Sequence, residues 1–183
     1  MEPTGMLKNE HRTIEKILEA LYALGRSCEL GHCVNKIVVQ QAVDLLQSFI
    51  DFCHHGKEEK FLFPALVAKG VAKEGGPISV MLEEHVLARQ HIAALKAVIN
   101  NFQAGDPLTE KIIVREAGKY VRLIRGHIVK EEKILFPLVP NYLTLEERQS
   151  IALQIKQFET EVIGEANLKK YENMVSEFEK YFF

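Results

Sequence analysis

The chain has 183 residues, with 23 Lys and Arg against 25 Asp and Glu, a formal charge of −2 that offers no cationic surplus to attract nucleic acid. Hydrophobic residues make up 47% and charged residues 26%, the balance of a soluble globular domain, and no apolar run approaches the roughly 18 residues of a membrane span. A chain of this length buries roughly 70% of the surface its unfolded form exposes, so neither a disulfide nor a metal is needed merely to fold.

The opening MEPTGMLKNEH lacks the basic and apolar regions of a signal peptide, which points to a cytoplasmic protein. Apolar residues then recur at helical spacing. Helix 1 runs from about Pro3 to about Cys28, with Leu7, Ile14, Leu18 and Leu21 on one face, and Gly31 breaks it. Cys28, Cys33 and Cys53 are odd in number and lack a framework spacing, as suits reduced thiols, and Cys28-x4-Cys33 with His32 reads as loop. Helix 2 begins near Asn35 and carries Val39, Val43, Leu46, Ile50, His54, Glu58 and Leu62, until Pro64 interrupts or kinks it. Gly70 and Gly75-Gly76-Pro77 close that segment, and helix 3 runs from about Pro77 to Gln103. Asp106 as N-cap and Pro107 at the first helical position open helix 4, which extends to about Pro137 before a turn through Tyr142. Thr144 and Glu147 form a capping box for a helix from Leu145 to about Ile163. A last amphipathic segment, Glu165 to Phe183, ends in Tyr181-Phe182-Phe183, which is expected to pack on the bundle. No strand-like alternation persists. The expected fold is all-α: an antiparallel four-helix bundle over residues 1–140 with a C-terminal helical extension over 141–183.

The chain also repeats itself. His54-His-Gly-Lys-Glu-Glu-Lys-Phe-Leu-Phe-Pro64 and His127-Ile-Val-Lys-Glu-Glu-Lys-Ile-Leu-Phe-Pro137 lie 73 residues apart and agree at eight of eleven positions. Leu7-Lys-Asn-Glu-His11 and Met81-Leu-Glu-Glu-His85 follow at an offset of 74. Each half is a helical hairpin with a Glu-His pair near the start of its first helix and His-x-x-x-Glu on its second.

Residues i and i+4 lie one above the other on a helix face, so His54/Glu58 and His127/Glu131 each present an imidazole and a carboxylate together. His11, His54, His85 and His127 all fall in apolar stripes, which should meet inside one bundle. A single such histidine reads most simply as a satisfied core residue. Four of them with two carboxylates at matched positions read differently, because an isolated buried carboxylate costs several kcal/mol unless compensated. Imidazole plus carboxylate without thiolate suits Fe, Mn or Zn rather than Ca or Mg. Four His and two Glu fit two ions, each with two histidines and both glutamates bridging, which leaves up to two octahedral positions open on each.

The pattern Glu-His11, His54-x-x-x-Glu58-Glu-x-x-Leu-Phe-Pro, Glu-His85 and His127-Ile-x-x-Glu131-Glu-x-x-Leu-Phe-Pro resembles the hemerythrin-like HHE cation-binding domain over residues 7–140. The resemblance implies a four-helix bundle with two non-haem Fe ions, oxo- or hydroxo- and carboxylate-bridged, held by His11, His54, Glu58, His85, His127 and Glu131. Oxygen-carrying hemerythrins place a His-x-x-x-His pair on the third helix, whereas the residues four away from His85 here are Met81 and Arg89. The site is therefore similar to the four-His form of the family, as in the iron–sulfur-centre repair proteins. Those proteins carry a cysteine-containing N-terminal segment, and this sequence opens directly at helix 1.

Other residues are expected to be peripheral. His55 with Glu59 shares the i, i+4 spacing, but lies on a stripe with Asp44, Ser48 and Asp51 and reads as solvated or as a support of the ligands. Glu59 and Glu132 are expected to pair with lysines, with support of the ligands as the alternative. Glu10 and Glu84 read equally as surface residues or as residues orienting ligands on neighbouring helices. Tyr120 lies two turns below His127 as core, or as a phenol near the open positions, and His91 is turned about 120° from His85. The leading functional expectation is binding of, or reaction with, O2, NO or peroxide, with NO reductase and peroxidase-like activity among the candidates. Reduction would require an electron-donor protein. Iron sensing or storage and donation is the alternative, and two-metal hydrolysis lacks a visible substrate cluster. No nucleic-acid or membrane partner is expected.

Overall fold

The computed structural model describes residues 2–32 and 34–182, so Cys33 and Phe183 lie outside it. Six helical segments follow one another: α1 (Pro3–Glu29), α2 (36–68), α3 (Pro77–Asn100), α4 (107–142), α5 (145–163) and α6 (Glu165–Lys180). There is no strand among the described residues.

Local signals account for where the helices begin. The Asn35 side chain accepts from Ile37 N at the start of α2, and Asp106 accepts from Thr109 N at the start of α4. Thr144 and Glu147 form the expected reciprocal box at the start of α5. Gly164, at φ +82°, turns the chain from α5 into α6, a backbone conformation other residues rarely adopt.

α2 passes Pro64 and ends at Ala68, just before the expected close at Gly70, whereas α4 runs past its expected end at Pro137 to Tyr142. The reason lies just upstream. Residues Glu58–Leu62 and Glu131–Leu135 wind as wide π-type turns, with hydrogen bonds from i to i+5. Each proline then stands in the first turn of a fresh helical stretch, where its missing N–H leaves no carbonyl unpaired. Leu46–His55 winds in the same wide manner.

α1 packs on α4, α4 on α3, α3 on α2, and α2 on α1, which closes a four-helix ring. α6 lies against α1 and α2, and α5 against α1 and the second wide turn of α2. Beside a small cluster of Cys53, Phe158 and Ile163, the core holds two large apolar ones. One holds Ile14, Leu18, Val43, Ile50, Ile92 and Ile124, with Phe178 of α6. The other holds Leu7, Leu62, Phe63, Met81, Leu135 and Phe136, with Ile151 and Ile155 of α5. The helix positions between them are not apolar. His11 falls between Leu7 and Ile14, His54 between Ile50 and Leu62, His85 between Met81 and Ala88, and His127 between Ile124 and Leu135. A polar layer therefore crosses the bundle, capped above and below by hydrocarbon.

Candidate metal centre

All six residues singled out by the repeat reach this layer. His11, His54, Glu58, His85, His127 and Glu131 are each at most 2% exposed. Their ligand atoms form two groups. His11, His54, Glu58 and Glu131 make one, Glu58, His85, His127 and Glu131 the other, and within each group the atoms lie within 4.8 Å of one another. Glu58 and Glu131 belong to both. His11 Nε2 stands 3.1 Å from Glu131 Oε2, and His127 Nε2 3.2 Å from Glu131 Oε1. His54 Nε2 and His85 Nε2 stand 3.7 and 3.5 Å from the two oxygens of Glu58.

The outer nitrogen of every one of these histidines is held by a carboxylate. His11 Nδ1 pairs with Glu132 at 2.8 Å, His54 Nδ1 with Glu10 at 2.8 Å, His85 Nδ1 with Glu59 at 2.7 Å and His127 Nδ1 with Glu84 at 3.0 Å. A carboxylate only accepts, so Nδ1 carries a proton and, in the neutral ring, the Nε2 lone pair points inward. This is the arrangement by which proteins fix the tautomer of a metal-bound imidazole. It also confirms the helix directions. Residues near the start of α1 and α3 meet residues late in α2 and α4, so neighbours run antiparallel.

For Glu59 and Glu132 the alternative reading holds in place of lysine pairing. Neither is a lysine partner; Glu59 takes His85 and the guanidinium of Arg89, and Glu132 takes His11. For Glu10 and Glu84 the open choice resolves toward orientation, each on the histidine of the neighbouring helix. Lys57 donates to Glu10 and, at 2.6 Å, to Glu159 of α5; Lys130 donates to Glu84.

The wide turns explain a larger correction. His55 was expected on a polar stripe, but it is fully buried beside His85 and His127, with a ring nitrogen within 4.8 Å of one on each. A projection at 3.6 residues per turn separates His54 from His55 by 100°. The wider π-type winding over Leu46–His55 shifts that register and brings both rings inward. The phenylalanines of the two Leu-Phe-Pro sequences stack on the centre, Phe136 on His11 at 5.7 Å and Phe63 on His85 at 5.9 Å. Tyr120 stays in the first apolar cluster, its hydroxyl without a protein partner. His91 pairs with Glu116, and Cys53 packs with Phe158 and Ile163 of α5.

The donor set calls for cations. Both oxygens of Glu58 and of Glu131, and Nε2 of His11 and His54, are buried without a hydrogen bond of acceptable geometry. His85 Nε2 and His127 Nε2 face each other at 3.1 Å, two lone pairs in contact once Nδ1 holds each proton. The electrostatics agree. Burial pushes Glu58 up, and the charge of Glu131 pushes it further. Burial also works against Glu131, yet the imidazoles of His127 and His11 beside it hold it well below the usual range. Burial would lower His127, but Glu131 raises it to about 10. The space is built to retain positive charge, and imidazole with carboxylate fits a transition-metal ion.

The fold and this layer define a helical metal-binding bundle. The model of the hemerythrin HHE cation-binding domain matches residues 2–139, and the chain belongs to that family. An uncharacterized protein of Mycobacterium tuberculosis (strain H37Rv) is 23% identical over 175 residues, 95% of this chain and 68% of its own length. The iron-sulfur cluster repair protein YtfE of Musicola paradisiaca is 34% identical over 86 residues, 46% of this chain and 39% of that protein. A probable iron-sulfur cluster repair protein of Haemophilus influenzae is 33% identical over 90 residues, 48% of this chain and 40% of its own. No solved structure gave a significant match. No described helix is long and apolar enough to cross a membrane.

Proposed function

We propose that the chain is a non-haem di-iron protein that binds or reacts with a small molecule, O2, NO or peroxide. The observation that carries this reading is the pair of four-residue groups sharing Glu58 and Glu131. In this reading His11 and His54 would hold one iron and His85 and His127 the other, with Glu58 and Glu131 within reach of both. Bound iron supplies redox change and open coordination positions. The protein supplies the rest. Glu10, Glu59, Glu84 and Glu132 orient the imidazoles and keep Nδ1 protonated. The hydrocarbon above and below excludes bulk water and favours a small neutral ligand over an ion. Electrons arrive from an external donor protein, in the cytoplasm.

Metal analysis of the purified chain is expected to give close to two irons, and zinc or a single ion would sink the proposal. Stopped-flow mixing of the reduced protein with NO and with O2 is expected to change the optical spectrum on at least one gas. A second reading, iron donation in the repair of iron–sulfur centres, draws support from the names of the partial relatives. It predicts spectral silence to both gases together with transfer of iron to a cluster-depleted acceptor protein.

A further inference from the structure

His55 is the one histidine of the buried layer whose ring no carboxylate holds. It is fully buried, and neither of its nitrogens has a hydrogen-bond partner. Burying polar atoms in this way is costly unless something else takes them up. Its ring lies parallel to His85, 3.8 Å between centroids and 16° between planes, and meets His127 edge-on at 5.4 Å. One turn back, Asp51 Oδ1 stands 3.6 Å from His55 Nδ1, and Arg89 Nε holds that carboxylate at 2.8 Å. The other four imidazoles have a carboxylate behind them in the same way, closed to hydrogen-bond distance.

We propose that His55 is a fifth imidazole ligand, adding a third nitrogen to the ion held by His85 and His127. The proposal rests on the two-metal reading above. As the rings stand His55 faces His85, so ligation would require its ring to turn about the Cβ–Cγ bond out of that stack. The second half of the repeat has Ile128 at the matching place, and isoleucine has no donor atom. The ion held by His11 and His54 therefore gains no counterpart, and the two ions are unequal. The less crowded one is where an incoming small molecule has more room.

The test uses the full chain stripped of metal and titrated with Co2+ without oxygen, because the visible bands of Co2+ report its donor set whatever metal is native. Wild type is expected to take up two ions. His55→Ala is expected to keep its circular dichroism and hold one ion as before. It should bind the other at least about tenfold more weakly, with altered visible bands that free imidazole restores. Unchanged affinity and bands in His55→Ala overturn the proposal, and so does weaker binding with unchanged bands, which marks a purely structural residue. If His55→Ala does not fold, His55→Phe keeps the ring stack without a donor atom and is read by the same criteria. A wild-type chain that takes up fewer than two ions overturns the two-metal reading itself, and that failure is distinct from the others.

Discussion

At the scale of residues, what distinguishes this centre from four buried histidines is the carboxylate behind each. Glu10 and Glu84 illustrate how much depends on them. Burial alone would raise Glu10, but the hydrogen bond from His54 and the charges of His54 and Lys57 bring it below the ordinary value of 4.5. Glu84 is lowered likewise, against burial, by His127 and Lys130. Replacing either with glutamine keeps the shape but removes the charge that fixes the imidazole. Glu10→Gln and Glu84→Gln are each expected to lower metal affinity about 10–100-fold with little loss of helicity, as read by competition with a chelator. Glu131→Ala removes a carboxylate common to both groups of donor atoms, so loss of at least one ion per chain is expected in metal analysis.

At the scale of elements, α5 and α6 break the symmetry of the two halves. Lys57 and Lys130 are the same residue of the repeat, and each donates to the glutamate before a histidine. Lys57, however, is 1% exposed and is also held by Glu159 of α5, whereas the Lys130 side chain is 36% exposed. Burial works against the Lys57 charge, but Glu10 and Glu159 raise its pKa. Lys57→Ala leaves two part-buried carboxylates without their cation and is expected to cost about 2–3 kcal/mol in urea unfolding. Lys130→Ala removes a half-exposed pair and is expected to cost at most about 1 kcal/mol. The starts of α2, α4 and α5, and the placing of His11, His54, His85 and His127 in the interior, followed from caps and from the apolar stripes. The burial of His55 did not, because a stripe drawn at 3.6 residues per turn assumes the winding that Leu46–His55 lacks. Nor did the roles of Glu59 and Glu132, since each acts on a helix of the other half and no spacing along the chain records that neighbour.

At the scale of the whole molecule, the layer ties stability to pH in opposite senses with and without metal. His127 is raised from 6.5 to about 10 in the folded chain. A raised value means the folded form holds its proton more tightly than the unfolded form. The metal-free protein therefore has this contribution in full below pH 6.5 and loses it as pH rises through about 10. A bound ion competes with that proton, so metal affinity should rise over the same interval. Thermal melts from pH 6.5 to 10 are expected to fall for the stripped protein and to separate progressively from those of the loaded one. A constant gap between the two series would refute this coupling.

The crosswise carboxylates have a consequence for assembly. Glu59 of the first hairpin holds His85 of the second, and Glu132 of the second holds His11 of the first. Glu58 and Glu131 likewise join both groups of ligand atoms. Rotating one hairpin onto the other exchanges these contacts in pairs, which is the reciprocity of an isologous dimer, here written into one continuous polypeptide. A lone hairpin would hold two imidazoles of one group but lack the orienting glutamate for its first histidine. Half of the chain is therefore less than half of the centre, and covalent linkage makes its assembly independent of concentration while letting the two halves diverge at His55 and Ile128.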